Sequence, residues 1–233
     1  MGLNLLPTIK VSFQKYLTTG ARSNEKLKIL HAKIANDLQD LLGKSYIVES
    51  LGVGTGKEKK IDGRYIDKVV DITISKINGE IVGGVAVKFV MSNYSQNSNN
   101  YFENMLGETA NIRSANIPYF QIFIIPEEIP YYDNSGTIKK AEKFSAHNVE
   151  KYVKLSEDNP NTLLHTPDKT LLMVVALPKL DITKITNRTK YVKAYTGADI
   201  KQSSVISNTF KSSVILNNYD EFMTKVAYRI RAV

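Results

Sequence analysis

The sequence predicts an α/β fold with a central mixed β-sheet flanked by helices, in the order helix, three strands, helix, strand, then a further helix and strand. Two β-rich runs, Asp67–Ser75 and Ile81–Met91, flank Asn78-Gly79, the pair most strongly tied to a two-residue hairpin turn. Leu27, Leu30, Ile34, Leu38, Leu41 and Leu42 recur at helical spacing, as on an amphipathic helix. Two compact apolar runs, Tyr119–Ile125 and Leu171–Leu177, read as buried strands.

The other elements follow in chain order. Lys10–Leu17 fits a short helix or a strand. Ser23 or Asn24 caps the first long helix and Gly43 stops it. Ser45–Leu51 is a short strand, followed by the Gly-rich loop GVGTGKEKKIDGR. Lys57 in that loop precedes Glu58 and not Ser or Thr, so it is no phosphate-binding P-loop. The polar run Met91–Asn100 is expected as a loop leading into a helix over about Asn100–Ser114. PEEIPYYDNSGT reads as a turn-rich connection and Ala146–Leu155 as a helix. Pro178 ends the second buried strand, and the irregular remainder closes with a helix over Tyr219–Ile230. The expected division is a core at 1–178 with a packed extension at 179–233.

Composition bounds the function. The 233 residues contain no cysteine, which excludes disulfides, thiolate metal sites and a cysteine nucleophile. No apolar run is long enough to span a membrane, and the start of the chain does not read as a secretory signal; a cytoplasmic location is expected. The formal net charge of +8 favours an anionic partner. Lys57, Lys59, Lys60 and Arg64 cluster in the Gly-rich loop, and a second basic excess that includes Arg188, Lys190 and Lys193 lies near the C-terminus.

The hairpin register can be derived on paper. With Asn78 and Gly79 as central turn residues, Ile72 faces Val85, Ile74 faces Gly83 and Asp71 faces Ala86. Val70, Ile72 and Ile74 then share an apolar face with Val85, Val87, Phe89 and Met91. Asp71, Thr73, Ala86 and Lys88 share the opposite face, where Asp71 is the expected partner of Lys88.

An acid on one strand, opposite a neighbouring strand that ends x-x-Lys, resembles the PD-(D/E)xK nuclease superfamily. The matching residues are Val70-Asp71 and Ala86-Val87-Lys88, and the resemblance spans about residues 24–177. It implies a restriction-endonuclease-like αβββαβ core. It also implies Mg²⁺ held by Asp71 with the Val87 carbonyl, and Lys88 acting on the attacking water or the developing charge. Among such proteins a small, basic, cysteine-free chain looks most like a type II restriction endonuclease that cuts double-stranded DNA as a homodimer. A repair or recombination nuclease is the alternative within that fold, and a non-catalytic DNA-binding protein is the alternative outside catalysis.

Ala86 stands where the resemblance requires the second acid, and alanine binds no metal. The expectation is an inactivated form in which that acid has been replaced. Two alternatives are a carboxylate from elsewhere, with Glu80, Glu103 and Glu108 as candidates, and a naturally non-catalytic protein. Contacts to DNA are expected from Lys57, Lys59, Lys60 and Arg64, from Asn93, Gln96, Asn97 and Asn100, and from Arg188, Lys190 and Lys193. His31, His147 and His165 show no metal-ligand spacing.

Overall fold

The computed structural model describes residues 2–233. One curled mixed sheet forms its centre, built from β1 (Tyr46–Ser50), β4 (Ile72–Lys76), β5 (Ile81–Phe89), β6 (Tyr119–Pro126), β9 (Lys169–Ala176) and β10 (Lys201–Gln202), in that spatial order. β11 (Val214–Leu216) runs parallel to the first half of β9, on the edge where β10 pairs with its second half. The pairs β1–β4 and β4–β5 are antiparallel, whereas β5–β6 and β6–β9 are parallel. Two small hairpins lie outside the sheet: β2 (Lys59–Asp62) with β3 (Asp67–Val70), and β7 (Glu128–Tyr132) with β8 (Ile138–Lys143).

Six helices cover the two faces. α1 (Leu6–Thr19), α2 (Glu25–Leu42), α5 (Arg188–Tyr195) and α6 (Tyr219–Arg231) pack on one side, where Leu30, Ile34 and Leu38 of α2 meet Ile72, Val85, Phe120 and Leu171. α3 (Tyr94–Arg113) and α4 (Ala146–Glu157) pack on the other, where Met105 and Tyr152 meet Phe123 and Leu172. β6 is buried along its whole length, which explains its unbroken apolar run: a strand covered on both faces has no polar side to show. The 179–233 segment adds β10 and β11 to the sheet and packs α6 against α2 and β9.

Several expectations need correction. The Asn78-Gly79 turn is not of the two-residue type. Lys76 N–H donates to the Glu80 carbonyl at 2.8 Å and Gly79 N–H donates to the Lys76 carbonyl at 2.9 Å. Gly79 alone takes positive φ, at 89°, so the loop has three residues and closes on a glycine bulge. This displaces the register by one, and Ser75 faces Ile81. A second irregularity between Ile74 and Ser75 restores it, and Ile72 faces Val85 with Ile74 facing Gly83, as derived from the sequence. The two offsets cancel.

The expected continuous strand Asp67–Ser75 is also broken. β3 leaves the central sheet to pair with β2, and Asp71 is the bend between β3 and β4. Val70 therefore joins Ile61, Ala86, Ile112 and Tyr119 in a separate apolar cluster, on the face opposite Ile72 and Val85. The polar run before Asn100 is helical from Tyr94 onward, and Asn93 sits before that helix in the left-handed region at φ 51°. The turn-rich connection after Pro126 is the β7–β8 hairpin, and Arg188–Tyr195 forms α5 within the irregular C-terminal stretch.

The turn of the β2–β3 hairpin is tied to the body through Asn111. Asn111 Oδ1 accepts from Tyr65 N–H at 2.9 Å and Ile66 N–H at 3.2 Å, while its Nδ2 donates to the Ile66 carbonyl at 2.8 Å. Asn111→Ala leaves these backbone groups without their partner, and a loss of about 1–3 kcal/mol is expected. Urea unfolding measures it, and limited proteolysis at residues 63–66 reports the freed turn; an unchanged midpoint and cleavage pattern would show that the turn holds itself.

Candidate metal centre

The bend at Asp71 places its carboxylate against β5. Asp71 Oδ2 accepts from Val87 N–H at 2.7 Å, a donor that a continued β-ladder would have paired with backbone. Gly84 and Val90 N–H donate to β6-side carbonyls. The strand's period of two therefore turns Val87, carbonyl included, toward Asp71. The expected Asp71–Lys88 ion pair does not form; among the described residues Asp71 makes no salt bridge.

Two residues that the sequence did not single out as site residues converge on Asp71. His31 comes from α2 and Glu58 from the loop just before β2. One ligand atom from each of His31, Glu58 and Asp71 lies within 4.8 Å of the others. His31 is completely buried, and among the described residues neither ring nitrogen has a hydrogen-bond partner. Its Nδ1 is 3.9 Å from Glu58 Oε1, too far for a hydrogen bond. Leaving a buried imidazole unpaired is costly, and a cation shared with two carboxylates would satisfy one of its two nitrogens. The donor set fits a divalent ion: a neutral imidazole and two carboxylates suit Mn²⁺ or a similar first-row metal better than Mg²⁺, which favours oxygen ligands alone.

The electrostatics agree with that donor set. Burial lowers the His31 pKa; Asp71 opposes this and Lys88 adds to it, so the ring is neutral near pH 7. Burial raises the Glu58 pKa, with the Asp71 charge contributing in the same direction. Lys88, half-buried on β5, is thus close enough to act on His31 electrostatically.

Ala86 is 4% exposed and packs with Ile61, Val70, Ile112 and Tyr119. Its register neighbour on β6 is Gln121, completely buried with both amide atoms unpartnered. Of the three acids considered as substitutes for position 86, two lie elsewhere. Glu80 is exposed at the hairpin turn beside Lys76, at 3.3 Å, and Glu103 is exposed on α3. Glu108 lies at the edge of the Ala86 cluster, where it accepts from the Tyr119 hydroxyl at 3.5 Å, but it is paired with Lys68 at 2.6 Å and is not one of the three groups that converge at Asp71. Glu58 is the acid that reaches Asp71.

The expected DNA-contacting residues divide. Lys57, Lys60 and Arg64 are exposed around β2, beside the centre, whereas Lys59 forms an ion pair with buried Glu49. Gln96 and Asn100 are exposed on α3, and Lys190 and Lys193 on α5. Asn97 Nδ2 donates to the Asn93 carbonyl at 3.3 Å. The Asn93 side chain is engaged with Tyr132: its Nδ2 donates to the Tyr132 carbonyl at 2.8 Å and its Oδ1 accepts from Tyr132 N–H at 3.0 Å. Arg188 lies over the Tyr16 ring at 5.4 Å. Comparison with protein-family models, curated proteins and solved structures returns no match.

Titration calorimetry with Mn²⁺ is expected to give one site, lost in His31→Ala and in Asp71→Asn. Protons compete with the metal for both shifted groups, His31 from below the ordinary imidazole value and Glu58 from above the ordinary carboxylate value. Affinity should therefore hold above about pH 6.5 and fall between about pH 6.5 and about pH 4.3. Equal Mn²⁺ affinity in the wild type and both variants would remove the metal centre.

Proposed function

We propose that the chain is a divalent-metal-dependent nuclease of the PD-(D/E)xK kind that cleaves DNA, with site-specific double-strand cleavage by a two-fold homodimer as its mode. The observation that carries this reading is the convergence of His31, Glu58 and Asp71 beside Lys88 on β5. The order α2, β1, β4, β5, α3, β6, with three antiparallel strands followed by a parallel one, supports it. So do the exposed cations Lys57, Lys60 and Arg64 around β2, which suit backbone phosphates.

In this reading His31, Glu58 and Asp71 hold the metal, with the Val87 carbonyl facing the same side. A divalent ion held by these residues would supply an activated water and neutralise charge on the scissile phosphate. Burial keeps His31 neutral and its lone pair available. Lys88 brings a fixed positive charge to the phosphate oxygens as negative charge develops there. Glu58 supplies the second carboxylate that Ala86 lacks, so the chain as it stands is expected to cut. Mg²⁺ is expected to support cleavage less well than Mn²⁺, given the imidazole in the donor set.

A second reading, a DNA-binding protein without catalysis, is favoured by Ala86 alone. Incubation of plasmid DNA with Mn²⁺ or Mg²⁺ separates the two. Cleavage is expected, with a loss on the order of a hundredfold or more in Asp71→Asn, Glu58→Gln and Lys88→Ala. Discrete fragments would establish site specificity. DNA binding with no cleavage under either metal, unchanged by Ala86→Glu, would support the binder; cleavage that survives Asp71→Asn would place the chemistry elsewhere.

A further inference from the structure

A recess of about 650 Å³ opens beyond the C-terminal end of β5. The loop between α1 and α2 contributes Arg22, α3 contributes Gln96, β7 and its following turn contribute Tyr131, Tyr132 and Asn134, and α5 contributes Arg188. Residues distant in sequence thus meet at one place, and its size suits a nucleotide-sized ligand. A smaller depression lined by Lys26 and Phe89–Ser92 shares Ala21 and Ser92 with it, and so connects the recess with the chain that follows Lys88.

The charge in this recess is unbalanced. Among the described residues neither Arg22 nor Arg188 makes a salt bridge. The acid present, Asp133, is already engaged: its Oδ1 accepts from Ser135 and Thr137 N–H at 2.9 and 3.0 Å, and its Oδ2 pairs with Lys139 at 3.0 Å. Arg188 is held without a carboxylate, stacked over Tyr16 at 5.4 Å. Lys140 Nζ, paired with Glu142 at 3.4 Å, lies 4.9 Å from the centre of the Tyr131 ring. Guanidinium groups left unpaired in a concave site suit phosphate. An aromatic ring and a free carboxamide beside them suit a base, by stacking and by hydrogen bonding at its edge.

We infer that this recess binds one nucleotide of the DNA strand, with its phosphate on Arg22 and Arg188 and its base against Tyr131 and Gln96. The assignment rests on the nuclease reading for its substrate class but not for its geometry. Ser92 follows Lys88 by four residues of nearly extended chain, about 13 Å at most, or about four base-pair steps of a duplex. Contacts here therefore select sequence close to the cut. Asn93 serves as a brace and not as a reader, because its amide is already spent on Tyr132.

Photo-crosslinking of the full chain to DNA carrying 5-iododeoxyuridine, mapped by mass spectrometry, tests the assignment, together with anisotropy titrations across a salt series. The expected crosslink falls on Tyr131. Arg22→Ala with Arg188→Ala should abolish it and reduce the slope of log K against log salt by about 1.8, two phosphate-contacting charges at about 0.9 each. Arg22→Glu alone, at an exposed position clear of the Tyr16 contact, should weaken binding at least tenfold if the double variant misfolds. A Tyr131 crosslink that depends on the arginines, in a chain that never cuts, supports the subsite while the nuclease reading fails. Cleavage that depends on Asp71, with affinity and salt slope indifferent to Arg22 and Arg188, overturns the subsite and leaves the nuclease reading in place.

Discussion

The break in the chain at Asp71 is the constraint from which the candidate centre follows. Had β3 continued the ladder of β4, Val87 N–H would have been tied to backbone and the Asp71 carboxylate would have been one more side chain on a sheet face. The strand turns away instead, and Asp71 takes the Val87 donor for itself at 2.7 Å. A carboxylate held by a backbone N–H is fixed in position, and the departing β3 opens the space into which Glu58 and His31 reach. β2 and β3 then form a flap over the sheet, closed by Asn111 at one end and by the Lys59–Glu49 pair at the other.

The glycines of β5 make room for this arrangement. A Cβ on Gly83 would collide with Ile230 of α6, and one on Gly84 would approach Ile61 Cδ1 to 2.8 Å. With these positions bare, α6 seats against one face of β5 while the flap's Ile61 seats against the other. Ile61 is completely buried. Burying such a side chain is worth about 1.5–3 kcal/mol, which adds to the Asn111 bonds and the Lys59–Glu49 and Lys68–Glu108 pairs in holding a short hairpin that has no place in the main sheet.

Much of the frame is legible in the sequence because it rests on local signals. The unbroken apolar run of β6, the helical spacing of α2 and the register of Ile72 against Val85 can all be read before folding. The register survives because a glycine bulge at the turn and an irregularity at Ile74 offset each other, which no local rule foretells. The centre is different. His31 follows Leu30 on the buried stripe of α2, where a histidine resembles any other core residue, and only its unpartnered nitrogens in the folded chain distinguish it. Glu58 sits among Lys57, Lys59 and Lys60, where its charge reads as part of a solvated basic loop. A lone acid within a basic run near a candidate metal ligand was the available signal.

Position 86 shows what an acid placed on β5 would entail. Ala86 lies in an apolar cluster beside Gln121, whose amide is buried without partners. A carboxylate there would be deeply desolvated and would carry that penalty whether or not a metal was bound. Glu58, with its side chain about a third exposed, keeps much of its hydration, so its charge is cheaper to maintain in the metal-free protein. Its disadvantage is positional, because its ordering depends on the flap and not on a central strand. On the proposed reading that dependence has a use. Lys57, Lys60 and Arg64 lie around the same flap, so phosphates that engage them also steady the hairpin that follows Glu58. Substrate binding and completion of the metal's ligand set then draw on the same element, which a glutamate fixed at position 86 of β5 would not provide.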